Sequence, residues 1–149
     1  MAKRNTKETI LFESLKLFAD KGYDGVTVRD IAAEVGIKQS SLYKHYKSKQ
    51  EIFDTLVDTM QLRFRDAATS FQLPNGELRE MAREYATGGN EVLKKISSDI
   101  FCFYLKDPYA SQFRKMLSIE KYKNKEIDRI YREVYICLLY TSPSPRDRG

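Results

Sequence analysis

The chain has one histidine, two cysteines and no tryptophan among 149 residues. A structural zinc site takes about four Cys or His ligands, so His45, Cys102 and Cys137 cannot build one within a single chain, and neither metal nor cofactor is expected. The two cysteines form no CxxC pair and fit isolated buried thiols in a reducing compartment. No apolar run approaches the ~20 residues of a membrane span, and Met1-Ala2-Lys3-Arg4-Asn5 leads into a charged helix rather than an apolar signal core. The expectation is therefore a cytoplasmic protein with no membrane partner. There is no Ser/His/Asp set and no phosphate-binding glycine loop, which removes the commonest enzyme readings. Gly and Pro, at seven and four, are too scarce for a mostly disordered chain.

The charge that is present is mildly basic. Twenty-six Lys and Arg oppose 21 Asp and Glu, giving +5. Residues 1–49 hold ten basic and six acidic side chains, so +4 of that excess lies at the N-terminal end, a weak pointer to a polyanionic partner.

Helical periodicity dominates. Leu11, Leu15, Phe18 and Ala19 form one stripe over residues 6–19, and Gly22 suits a left-handed C-cap. Thr27 with Asp30 reads as a capping box, and Val28, Ile31, Ala32 and Val35 follow on one face. Gly36 stops that helix. A third helix begins near Lys38 or Gln39 and runs to about Tyr46, with Leu42 and Tyr46 facing inward. Ser48 to Glu51 is a second capping box, opening a helix that continues to about Ser70. Leu73-Pro74-Asn75-Gly76 breaks the chain, with further helices expected over 77–86, 90–105, 109–120 and from 125 onward. The class is all-α: a three-helix N-terminal helix-turn-helix domain (1–47), a connecting helix (48–72), and an incomplete helical bundle (73–136).

Two short helices joined by a tight glycine turn and braced by a third form a helix-turn-helix. Its second helix must present a polar face to the major groove while its other face is fixed to a core. Thr27-Val28-Arg29-Asp30-Ile31-Ala32 followed by Val35-Gly36-Ile37 resembles the second helix and turn of the tetracycline-repressor (TetR) family. Leu42-Tyr43-Lys44-His45-Tyr46-Lys47-Ser48-Lys49 resembles that family's recognition-helix end and the start of its fourth helix. Phe18 and Gly22-Tyr23 also stand where the family places them, so the resemblance covers about the first 55 residues. It implies a transcriptional regulator, usually a repressor, which is a homodimer when full length. Such a regulator binds a palindromic operator in double-stranded DNA and is released by a small-molecule effector. It also implies roles. Thr27 would bind a phosphate at a helix N-terminus. Tyr43 and Lys49 would hold the DNA backbone. Gln39, Ser40, Ser41 and Lys44 would face base edges or nearby phosphates, and His45 would touch the backbone. Gln39 suits adenine and Lys44 suits guanine. Two positions depart from the family pattern. Lys38 replaces a common Ser or Thr cap, loosening it by ~1 kcal/mol, and Ser40 stands where Gly is common.

Each of these residues also has a plainer reading. Tyr43 is open as core. Lys44, Lys47 and Lys49 are open as a solvated face. His45 is open as a base or ligand, although no second His or suitably spaced carboxylate supports that. Of Phe101, Phe103, Tyr104, Tyr109 and Phe113, the residues Phe101, Tyr104 and Phe113, with Cys102, are the candidate effector-binding set; packing is the competing role for all of them. An enzyme using this aromatic cluster, and a helical interaction module without DNA affinity, are the alternative functions. After Ile136 the composition changes abruptly. Residues 137–149 resemble the translation of a transposase adapter from sequencing libraries, so they read as a non-native tail, with a natural Ser/Pro-rich disordered tail as the alternative. On that reading the helices of the family's dimer interface are missing, and the chain alone is expected to bind an operator weakly.

Overall fold

The computed structural model describes residues 5–70 and 89–132, with residues 83, 86 and 87 between them. Among the described residues there are seven helices and no strand: α1 (Thr6–Lys21), α2 (Val28–Val35), α3 (Gln39–Tyr43), α4 (Lys49–Ser70), α5 (Gly89–Lys106), α6 (Pro108–Glu120) and α7 (Lys125–Tyr131). The all-α expectation holds. Of the expected helix over 77–86 only residues 83 and 86 are described, both helical; the end of the last expected helix beyond Arg132 and the 137–149 tail lie outside the described residues.

Each helix start has a local cause. Asn5 accepts the Lys7 N–H at 3.1 Å and caps α1. Ser48 Oγ accepts the Glu51 N–H at 3.1 Å and starts α4. Glu51 reaches back to the N–H of Lys47 rather than that of Ser48, so the box is one residue wider than the sequence suggests. Asp107-Pro108, between the helices expected over 90–105 and 109–120, opens the second of them. Asp107 Oδ1 accepts from Tyr109 N (3.0 Å) and Ala110 N (2.8 Å), and Pro108 takes the first helical position, where no N–H is needed.

α1 is the shared wall of the fold. It buries Ile10, Leu15, Phe18 and Ala19 and packs on α2, α4 and, most extensively, α6. Phe18 lies 5.7 Å from Phe53 of α4, edge to face. Leu11, expected at the centre of the stripe, is only partly buried, and Ile10 takes the fully buried place. α6 answers with Ala110, Phe113, Met116 and Leu117, all fully buried, and α7 closes over them with Ile127 and Ile130.

Two turns need glycine for different reasons. Gly36 sits at φ 78°, ψ 30°, the left-handed conformation, and donates to the carbonyls of Ala32 (3.0 Å) and Ala33 (3.2 Å). Gly22 also has φ 76°, but its ψ of 166° puts it outside the left-handed helical region expected from sequence. That combination is essentially confined to glycine. A Cβ on Gly36 would meet nothing within 4 Å, whereas one on Gly22 would lie 3.2 Å from Glu120 Oε1. Gly36→Ala is therefore expected to cost about 1 kcal/mol, the strain of a left-handed non-glycine residue. Gly22→Ala should cost about 2–3 kcal/mol, from strain and from displacing Glu120. Urea unfolding of the two variants checks the order; equal losses would mean that Glu120 yields freely.

Candidate nucleic-acid interface

The first element of the site is the start of α2. Thr27 is its exposed N-cap, and the expected capping box is complete. Thr27 Oγ1 accepts the Asp30 N–H at 3.1 Å, while Asp30 Oδ2 accepts the Thr27 N–H at 2.9 Å. The Thr27 hydroxyl lies 2.8 Å from the same carboxylate oxygen and donates to it. The backbone N–H and then the hydroxyl of Thr27 hold the Asp30 carboxyl below the usual carboxylate range.

The second element is α3. Lys38 precedes it with no side-chain cap, as its lack of an acceptor requires. The helix is shorter than expected. It ends at Tyr43, and the Leu42 carbonyl then takes the N–H of both His45 (2.9 Å) and Tyr46 (3.1 Å). Leu42 and Tyr46 still anchor it as expected, both buried. The Tyr46 hydroxyl donates to the Lys7 carbonyl at 3.4 Å, fixing the end of the turn to the first turn of α1. Burial pushes the Tyr46 phenol up to about 12, so it stays a donor across the physiological range. Gln39, Ser40, Lys44 and His45 are exposed, Ser41 is half-buried, and Tyr43 stands 46% exposed. The core reading of Tyr43 is thus set aside. One short helix and the turn that follows it bring six of the expected residues, Gln39, Ser40, Ser41, Tyr43, Lys44 and His45, onto a polar surface beside a buried leucine.

Lys49 is placed differently. Its ammonium donates to the carbonyls of Tyr23 (2.8 Å) and Val26 (2.9 Å) and sits 4.0 Å from the centre of the Tyr23 ring. Two of its three N–H donors are thereby turned inward. It ties the α1–α2 loop to the start of α4. Tyr23, unassigned in the sequence, is the hub of that tie. Its hydroxyl donates to Gln50 Oε1 at 2.9 Å, and its ring lies 5.1 Å from that of Phe53. Burial is the main cause raising its phenol above the ordinary value, with Asp54, Asp24 and Glu120 adding to it. Sequence gave no signal for these contacts beyond an aromatic after Gly22.

The candidate effector set does not converge. Phe101 is 64% exposed on α5, whereas Phe113 is fully buried in the α6 core. Cys102 and Tyr104 are half-buried. Tyr104 and Phe113 instead flank Phe64 of α4, at 5.6 and 5.8 Å between ring centres, with Phe103 at 5.7 Å. This is edge-and-tilt aromatic packing. Burial pushes the Tyr104 phenol up to about 12.

Two outcomes follow. Lys49→Met keeps the aliphatic stem over Tyr23 but removes two charged hydrogen bonds, so it should cost about 1–3 kcal/mol of stability without any DNA present. Urea unfolding checks this, and unchanged stability would deny the tether. For Asp30, a folded-state pKa below its ordinary value means stability that is fully present above that value. It is lost as pH falls through the lowered one. Asp30→Asn should therefore flatten the acid limb of a stability–pH curve below about pH 4 while leaving its neutral region nearly level. An unchanged acid limb would show that the box carries no linkage.

Residues 10–56 match the family model of the bacterial regulatory proteins of the tetR family. Over 52 residues the chain is 46% identical to the biofilm operon icaADBC HTH-type negative transcriptional regulator IcaR of Staphylococcus epidermidis. That stretch is 35% of this chain and spans only 28% of the relative's length. In fold it is similar to a putative tetR-family regulator from Shewanella (TM-score 0.62, 20% identity, 93% of this chain and 68% of that one). It is also similar to a gamma-butyrolactone receptor, an ArpA-like protein (TM-score 0.55, 18% identity, 76% of this chain and 53% of that one). Residues 10–56 are thus a helix-turn-helix domain of the tetR type by sequence, and the described helices share the fold of tetR-family structures.

Proposed function

We propose that the protein represses transcription by binding an operator palindrome in double-stranded DNA and leaving it when a small-molecule effector binds. The observation that carries this is the α3 surface. Gln39, Ser40 and Tyr43 project to solvent from a helix pinned by Leu42 and Tyr46, and Lys44 and His45 from the turn after it. Gln39, Ser40, Ser41 and Lys44 read base edges or adjacent phosphates. Tyr43 and His45 hold the backbone, with Lys49 contributing its remaining donor. Thr27 turns its hydroxyl proton from Asp30 to a phosphate. Phosphate contacts set the register and base contacts set the sequence. Two copies place their α3 helices about 34 Å apart, one turn of DNA. The printed name of the Staphylococcus relative, a negative regulator, supports repression. That of the receptor-type neighbour supports a small-molecule signal. A protein with this role works in the cytoplasm, and among the described residues no helix is long and apolar enough to cross a membrane.

The test is selection of duplexes from a random library by the protein, followed by binding of the enriched sequence at several salt concentrations. Affinity should fall as salt rises, with a log–log slope of about −0.9 per phosphate contacted. Tyr43→Ala should weaken all duplexes alike and shallow that slope by about one contact's worth. Gln39→Ala should relax preference at one base pair by about 1–3 kcal/mol. No enrichment, or affinity indifferent to salt, would leave the helical interaction module as the better reading.

A further inference from the structure

The helix-turn-helix is not self-contained. The loop that carries α2 is held from the far side by a carboxylate of α6. Glu120 is one of two buried polar or charged residues among those described, 5% exposed, and its Oε1 accepts the Tyr23 N–H at 2.9 Å across 97 residues of sequence. Gly22, lacking a side chain, leaves room for that oxygen. Lys123 stands 3.9 Å away as a partial counter-charge. Two further ion pairs cross the same seam, Lys115–Asp20 (3.7 Å) and Lys123–Asp24 (3.2 Å), but their side chains are more than half exposed and such pairs contribute little. Tyr23 and Val26, held by Lys49, lie immediately before Thr27.

A carboxylate in this place carries a cost that its hydrogen bond must offset. It is desolvated, and it stands by the C-terminus of α1, where the helix dipole disfavours negative charge. What it does is fix the backbone at Tyr23, four residues before the α2 cap.

We infer that Glu120 is a positioning residue for DNA binding: its hydrogen bond to the Tyr23 amide sets where the start of α2 stands, so α6 controls the DNA-facing surface through one buried acceptor. This rests on the DNA-binding reading above. A shift of α6 that withdraws Oε1 removes one of the two holds on the Gly22–Val26 loop, leaving Lys49 as the other.

The experiment uses the full chain and the duplex enriched by the wild type. Glu120→Leu has similar volume but no acceptor, while Glu120→Gln keeps an oxygen acceptor and drops the charge. Leucine leaves the Tyr23 N–H without an acceptor, so it should lower the melting temperature and, at a temperature where the variant is fully folded, bind the duplex about tenfold more weakly. Glutamine should restore binding to within about threefold. A purely structural role would lower melting but leave the affinity of the fully folded variant at the wild-type value. If the leucine variant does not fold, Glu120→Asp, which withdraws the carboxylate by one carbon, must weaken binding to the same degree. Wild-type affinity in the leucine or aspartate variant, or glutamine as weak as leucine, overturns the inference alone. A wild-type protein that enriches no duplex overturns the DNA-binding reading beneath it.

Discussion

The packing of α1 against two bodies of structure at once is the constraint on which the rest depends. Ile10, Leu15, Phe18 and Ala19 are all fully buried, and the same helix is wall to α2, to α4 and to α6. The two helices of the helix-turn-helix have little core of their own. α2 buries only Ile31 and Ala32, and α3 only Leu42. So few side chains cannot hold two short helices in a fixed pose; small units bury too small a share of their surface. Their pose is borrowed from α1 and α4, and those in turn are held by α6. Interiors packed to this density switch between discrete arrangements rather than bend smoothly. A helix shared by both parts is therefore a natural place for their states to be coupled.

Much of this was legible in the sequence, and what was legible was local. Thr27 with Asp30 reads as a capping box because the chemistry spans three residues, and it is one. Gly36 reads as a left-handed stop because its partners, Ala32 and Ala33, lie within one turn. Leu42 and Tyr46 read as the buried side of α3 from spacing alone. The misreadings concern contacts that spacing cannot encode. Gly22 looks like an ordinary C-cap until Glu120, 98 positions on, is found beside it. α3 stops at Tyr43, not Tyr46, because Tyr46 turns inward to the Lys7 carbonyl. Asp107-Pro108 carries the signature of an end and of a beginning alike, and only the hydrogen bonds from Tyr109 and Ala110 decide it. In the aromatic cluster the sequence could list rings but not their directions, so Phe101 faces outward and Phe113 fills the core.

Lys49 shows how a family motif and a physical reading qualify each other. The resemblance assigns it to a phosphate. Its ammonium nevertheless spends two hydrogen bonds on carbonyls of the α1–α2 loop and lies over the Tyr23 ring. These roles need not compete. An ammonium has three donors, and a charge held in place by two backbone acceptors loses less side-chain entropy when a phosphate takes the third. Tyr43 and Lys44, by contrast, are exposed in the free protein, and whatever contact they make must order a side chain that begins free.

The start of α2 poses the remaining electrostatic question, because Asp30 puts a negative charge where a phosphate is expected. The Thr27 amide and hydroxyl hold that carboxyl low, so it remains ionised near neutrality. A phosphate approaching Thr27 meets a like charge and also the N–H groups of Val28 and Arg29, which have no acceptor within the helix. The dipole and the free amides favour the anion; the carboxylate opposes it. Asp30 is exposed, so water and salt screen the repulsion, whereas the hydrogen bonds are short-ranged and directional. The balance therefore favours phosphate only when it sits close enough to take the Thr27 hydroxyl and the free amides together. An interface built this way depends closely on where α2 begins. That is why the far-side hold of Glu120 on Tyr23, and of Lys49 on Tyr23 and Val26, matters more than its few hydrogen bonds would suggest.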